Sequence, residues 1–394
     1  MSFPSGSVSF RRFCIIGRHP AEIDQKVLEK LAEFALHIGE YGVPDEVEYG
    51  WCGGRHIFDE KFSFEHNVFA DAVHFAMRVD TNRVPAEVKK AYEMMEVESA
   101  ASQNPSGFAS KRQKQDARDI VRRRLDEDLK SGRFRRSRLV PVLWDFTSQT
   151  LYSPASQSAS ENLAELFQRT FELKLEPLSA GTAALRHLEK GHRRDYEDAR
   201  PTRFVTGPEG EGQRPDYPWT AKGPQPKDFL GNEFLLWLWF QTEAHGGTIA
   251  TAEAGDVSVV IDRFIELDCA YGQSGKDSLR SDGPTRMPEA RDALRSGKLP
   301  RRAGLIVESG GRQFELSFNC ETLGCSGVKL PDVEEADDPR VLFEERIAMV
   351  RALSGAIDGL FHAFLKLRVS GSWEGQVGAI RRWIMREEKR AAVA

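Results

Sequence analysis

Twelve basic residues crowd into positions 111–138: Lys111, Arg112, Lys114, Arg118, Arg122, Arg123, Arg124, Lys130, Arg133, Arg135, Arg136 and Arg138. Five acids lie among them (Asp116, Asp119, Asp126, Glu127, Asp128), so the stretch carries 12 − 5 = +7 in a chain of net charge −5, and the rest sums to −12. Clustered lysine and arginine, rather than overall charge, is what binds a phosphate backbone, and the chemistry implied is contact with a polyanion. The stretch divides in two. Up to Lys130 a spacing of four sets Asp119 against Arg123 and Arg122 against Asp126, so a solvated helix face with internal ion pairs accounts for part of the charge. Arg133, Arg135, Arg136 and Arg138 have no acid among their immediate sequence neighbours, and phosphate contact is expected chiefly there. The DNA-binding set on this reading is Lys111, Arg112, Lys114, Arg118, Arg122, Arg123, Arg124, Arg133, Arg135, Arg136 and Arg138.

Catalytic signatures are sparse. No GxxxxGK[ST], HExxH or GxSxG string occurs, and the glycines at 207, 210 and 212 lack the strand and helix that a phosphate-cradling loop requires. His187 and His192, five apart, suit no common helical ligand pair and read as a surface pair. Cys320 and Cys325 have no histidine close in sequence and read as core thiols. Asp262, Glu266 and Asp268 share a strand face, as the carboxylates of a metal-dependent nuclease would, although alternation on an exposed face explains them equally well. No catalytic residue, metal or cofactor is assigned.

The positioning elements follow from periodicity. Residues 10–16 read as a strand. Pro20 opens a helix with Ile23, Val27, Leu31, Phe34 and Ile38 at helical spacing and Gly39 at its stop. Val73, Phe75, Met77 and Val79 alternate along a strand. Pro85 begins a helix to about Ala101, SQNPSG is a turn, and a third helix runs from Lys111 to about Leu129 with Ile120, Val121, Leu125 and Leu129 as its stripe, ended by Gly132. Neither helix has enough apolar face for a central position, so the pair reads as a projecting finger. Residues 139–147 and 150–152 are strands, Ser160 caps a helix, and 189–228 is Pro/Gly-rich insertion material. The helix from Phe229, FLGNEFLLWLWFQTE, is apolar nearly all round; its tryptophans could stack bases, but such uniformity favours core. A strand at 257–267, a short helix at 287–296 and a hairpin turning at Gly310 and Gly311 come next. Beyond the acidic residues 332–338 lie a long helix and a final one over 375–389.

These elements predict an α+β protein of several small mixed sheets with packed helices and a helical finger. The domains expected are an N-terminal body (1–84), the basic finger (85–138), the return of the body (139–188), the insertion (189–228) and a C-terminal α+β domain (229–394). A length of 394 residues suits two or three domains, and 40% apolar with 29% charged residues is ordinary globular composition. No apolar run of about 18 residues is evident, and the opening MSFPSGSVSFRRFCIIG lacks a signal-peptide layout. A cytoplasmic location follows, with the five cysteines expected to be reduced and mostly buried.

Several strings, in order, resemble the recombination-associated protein RdgC family. They are Tyr49, Gly50 and Trp51 before a glycine loop; the strand 73–79 followed by VPAEVKKAYEMME; Arg133, Phe134, Arg135 and Arg136 leading into Leu143, Trp144 and Asp145; and the helix 289–298 ending SGK before LPRRAGLIVESGGRQFELSF. The resemblance implies a ring-shaped homodimer that encircles duplex DNA without strong sequence preference. It also implies a nucleoid-associated location and a functional link to a RecA-type recombinase, whose filament action the family limits. By the same resemblance the finger helices around residues 86–129 close one subunit contact, and Phe134 matches an aromatic beside it. This chain is longer than the family pattern, mainly through 189–228. The competing expectations are a protein-interaction scaffold whose basic finger docks an acidic partner, such as its own residues 332–338, and a metal-dependent nuclease.

Overall fold

Residues 3–37, 47–188, 192–207, 210, 212–220, 226–272, 275–332 and 338–386 are described by a computed structural model. In chain order its elements are β1 (Val8–Ile16), α1 (Gln25–Glu33), β2 (Val47–Cys52), α2 (Phe64–Asn67), β3 (Val68–Phe69), β4 (Ala72–Asn82), α3 (Ala86–Ser102), α4 (Lys111–Lys130), β5 (Arg135–Asp145), β6 (Thr150–Ser153) and α5 (Gln157–Phe171). They continue with β7 (Lys174–Pro177), α6 (Ala180–His187), α7 (Arg193–Asp198), α8 (Phe229–Ala244), β8 (Thr248–Thr251), β9 (Gly255–Cys269), β10 (Lys276–Ser281), α9 (Pro288–Arg295), β11 (Lys298–Ser309), β12 (Arg312–Asn319), β13 (Gly324–Lys329), α10 (Pro339–Arg368) and α11 (Trp373–Met385). The chain divides into two units, Met1–Ile16 with Thr147–Pro154 and Leu175–Ala394, and Gly17–Phe146 with Ala155–Lys174.

The second unit is built on the antiparallel strands β5-β4-β2, with β3 on β4. Val73, Phe75, Met77 and Val79 are all buried, because their alternate positions place them on one face, opposite Trp144, Val142, Val140 and Arg138 of β5. Helix α5 supplies Leu163, Leu166, Phe167 and Phe171 to that core. The Trp144 ring meets Phe167 and Phe171 edge-on at centroid distances of 5.1 and 5.0 Å. Trp51 lies edge-on to Phe75 and donates its indole N–H to Thr170 Oγ1 at 2.7 Å, so a fully buried polar atom is satisfied. Each large apolar side chain buried this way contributes about 1.5–3 kcal/mol.

The first unit carries the antiparallel order β10-β9-β11-β12-β13-β1-β6, with β8 on β9 and β7 on β1. Gly310 and Gly311, both at positive φ (56° and 74°), turn the β11–β12 hairpin as their types demand. Helix α8 is buried from Phe229 through Phe240, which makes its tryptophans core residues; Phe234 packs on Phe318, Phe361 and Phe364. Gly231 lies so close to the Cys320 carbonyl that a Cβ has no room. By length and composition α10 is the one described helix able to cross a membrane, and 61% of its apolar window is buried.

Several expectations need correction. Where the sequence predicts several small mixed sheets, the pairings β1–β6, β1–β13, β9–β10, β9–β11, β11–β12, β12–β13, β8–β9, β2–β4, β3–β4 and β4–β5 are antiparallel. Helix α1 begins later than Pro20, at Gln25, because Asp24 caps it by accepting from the Val27 N–H; Ile38 and Gly39 lie outside the described residues. Ser156, not Ser160, caps α5, and Ser160 sits inside the first turn donating to the Ser156 carbonyl. The 189–228 segment contains α7 and buries Tyr196, Phe204, Val205 and Tyr217. The final helix starts at Trp373, and residues 387–389 lie outside the described set, as do 333–337 of the acidic stretch.

Candidate nucleic-acid interface

Helices α3 and α4 form a hairpin in the second unit. Helix α3 has no buried residue, whereas α4 buries Ala117, Val121 and Leu125 at i, i+4 and i+8. Ala117 therefore belongs to the stripe, and Ile120, 42% exposed, does not. At the tip, Ser110 and Gln113 form a reciprocal capping box. Asn104 donates to the Phe108 carbonyl and to Gln113 Oε1, both at 2.7 Å, which closes the turn. At the base, Gly132 (φ 71°) ends α4 in a Schellman motif: its N–H donates to the Leu129 carbonyl and that of Arg133 to the Asp128 carbonyl. Asn82 of β4 donates to the same Leu129 carbonyl at 2.9 Å, tying the hairpin to the sheet.

The cluster expected to be unpaired is half paired. Arg133 donates to Asp128 Oδ1 at 3.1 Å. Arg135 donates to Asp80 Oδ2 at 2.9 Å and to Glu48 Oε2 at 2.7 Å. The antiparallel register explains this, since Arg135 lies opposite Asn82 and Asp80 opposite Ser137, while Glu48 of β2 lies opposite Asp80 on the other side. These acids are 55 and 87 residues away in sequence. Burial alone would raise the Asp80 carboxyl, but hydrogen bonds from Arg78 and Ser137 and the charges of Arg78 and Arg135 hold it below its ordinary value. Arg124 is also engaged, its guanidinium 4.1 Å from the Tyr92 ring centre.

The expected helix pairs Asp119–Arg123 and Arg122–Asp126 do not close. Among the described residues no carboxylate lies within ion-pair distance of Lys111, Arg112, Lys114, Arg118, Arg122, Arg123, Arg136 or Arg138, and all eight are exposed. Lys114, Arg118 and Arg122 recur every four residues and form one row along α4, with about 6 Å of rise between successive positions. Arg136 and Arg138 continue the β5 face that carries Val140 and Val142. This arrangement can neutralise several phosphates at once.

Phe134 is half-buried between Arg133 and Arg135. Sequence reasoning missed the exposed apolar side chains of the finger, Met94 (54%), Met95 (58%) and Phe108 (79%). The signal was the absence of any apolar stripe on α3. Met94 and Val97 line a cleft of about 370 Å³ together with Lys90, Lys114 and Arg118.

Elsewhere the candidate chemistry dissolves into separate contacts. His192 pairs with Asp195, while His187, half-buried rather than on the surface, stacks on His362 beside Asp358. Burial raises the Cys320 thiol well above its ordinary pKa and the Cys325 thiol to about 12, which makes both poor nucleophiles. Asp262 accepts from the Gly283 N–H, Glu266 pairs with Lys276 and Arg302, and Asp268 pairs with Arg301. Among the described residues no group of three or more His, Cys, Asp or Glu is placed to hold a metal. No protein-family model matches the chain, and no curated protein matches it.

Proposed function

We propose that this protein binds duplex DNA without sequence preference through α4 and the adjoining end of β5, and that it acts as a homodimer. The observation that carries the reading is the exposed, unpaired set Lys111, Arg112, Lys114, Arg118, Arg122, Arg123, Arg136 and Arg138 in a chain that is otherwise acidic. A polyanion supplies the counter-charge that the fold withholds, and the surrounding negative charge discourages non-specific capture elsewhere. Exposed Met94, Met95 and Phe108 on the finger supply an apolar surface that a second copy would cover, with Phe134 beside its base. The ordered likeness to the RdgC family supports the same reading, in which the protein encircles DNA as a dimer and limits a RecA-type recombinase in the nucleoid.

A mobility-shift titration on duplexes of unrelated sequence tests it. Affinity should be the same for each duplex and fall about 10³–10⁵-fold between 50 and 200 mM salt if about 6–10 phosphates are contacted. Sequence-dependent affinity or a flat salt response would overturn it. Charge reversal at Arg118 and Arg122 separates DNA binding from docking of an acidic protein: loss of dimer with DNA binding intact favours docking. Cleavage of duplex in the presence of Mg²⁺ or Mn²⁺ would make the protein a nuclease instead.

A further inference from the structure

A second concentration of arginine lies in the first unit. The segment following α7 and the ends of α10 and α11 enclose an open cleft of about 760 Å³, lined by Arg200, Arg203, Arg214, Arg368 and Arg381, with Trp373 in its wall. Two of these arginines build the site. Arg368, 10% exposed at its side chain, donates to Glu233 Oε2 at 2.6 Å and to the Arg200 carbonyl at 2.7 Å, and its guanidinium lies 5.1 Å from the Trp373 ring centre. Glu233, fully buried, also accepts from the Thr202 N–H at 2.6 Å. Arg381 donates through Nε and Nη2 to the Arg203 carbonyl. The backbone from 200 to 203 is thus pinned on both sides by ion-paired or carbonyl-bound guanidiniums.

The side chains of Arg200, Arg203 and Arg214 are left over. Among the described residues none has a carboxylate within ion-pair distance, and Arg203 is half-buried. Lys227 is held beside them, donating to the Glu197 and Ala199 carbonyls at 2.6 and 2.8 Å. Burial and then the nearby Arg200 charge lower its ammonium below its ordinary pKa, as crowding of like charge demands. A rigid frame that presents unpaired guanidiniums and crowds a lysine is arranged for an anion.

We propose that this cleft binds a compact diphosphate-bearing small molecule, with Arg200, Arg203 and Arg214 donating to its phosphate oxygens. The volume is that of a small-molecule site. Asp195, Asp198 and Glu374 line the same cleft, so an extended nucleic-acid backbone running through it would meet repulsion that a compact ligand resting on the arginines avoids. Trp373 is 6% exposed and already faces Arg368, so the site recognises the diphosphate and provides no stacking platform for a base.

Isothermal titration of the full chain at low ionic strength with inorganic pyrophosphate and with ADP tests this. Binding of pyrophosphate, with or without ADP, shows that the diphosphate itself suffices and supports the site; binding of ADP without pyrophosphate would show that the nucleoside carries the affinity and would overturn it. The Arg200→Gln/Arg214→Gln variant should bind at least tenfold more weakly. Both side chains are exposed and make no bond among the described residues, and an unchanged thermal melt checks that the variant is folded. Absence of binding by both ligands, unchanged affinity in the variant, or displacement of pyrophosphate by a short duplex would overturn the proposal, the last by assigning the cleft to DNA.

Discussion

Arg122 and Arg135 carry the same side chain and have opposite duties. Arg135 closes a network with Asp80, Arg78 and Glu48, and the Asp80 side chain is only 2% exposed. Replacing Arg135 with alanine removes two charge-assisted hydrogen bonds and leaves Asp80 to Arg78 and Ser137, so urea denaturation should show a loss of about 1–2 kcal/mol. Arg122→Ala touches no partner and should change stability by less than about 0.5 kcal/mol. His74 gives a second test. Burial, reinforced by the His66 and Arg55 charges and opposed by Asp59, holds its imidazole at about 4. The unfolded value is near 6.5, so between about pH 6.5 and 4 the unfolded chain takes up a proton that the folded chain refuses. Stability is fully present above that window and falls as the pH drops through it, by roughly 2 kcal/mol at pH 5. Urea midpoints at pH 7 and pH 5 should differ accordingly, and His74→Gln should shrink the difference. Neither role was legible in the sequence. Arg135 looks unpaired because its acids come from strands β2 and β4, and His74 sits on the opposite face from the alternating Val73–Phe75–Met77–Val79 pattern.

Elements were more legible, because their signals are local. Pro85, the SQNPSG turn and Gly132 mark the bounds of α3 and α4 to within a residue or so. Gly310 and Gly311 mark the hairpin, and the uniform hydrophobicity of α8 marks it as core. What failed was where a local rule met a tertiary one. Arg135 and Arg136 precede the strand expected from residue 139, yet they belong to β5 because β4 runs to Asn82 beside them. Residues 189–228 have insertion-like composition, yet Tyr196 and Tyr217 anchor them. The finger has two consequences that can be measured. Gly132 adopts a φ of 71°, where a Cβ is strained; Gly132→Ala should cost about 1 kcal/mol and loosen the Schellman closure. With no buried residue on α3, its amides should exchange with solvent much faster than those of β4, which is buried at nearly every position. Equal protection in the isolated monomer would mean that the hairpin is supported by more than α4.

On the scale of the whole chain, the account turns on a division of charge: a basic stretch of +7 against a remainder of −12. The sequence exposes that polarity at once but misjudges which of its charges are paired. The arginines next to the core strand look freest and are partly consumed by the sheet, whereas the helix charges look self-paired and are left open. The central claim is therefore that Lys114, Arg118 and Arg122 face phosphate. Fluorescence anisotropy of a labelled duplex, titrated with wild type, Arg122→Ala and Arg118→Ala/Arg122→Ala at several salt concentrations, tests it most directly. The log–log salt slope should shrink by about 1 for each arginine removed, with weaker binding to every sequence alike. An unchanged slope in the double variant would contradict the account.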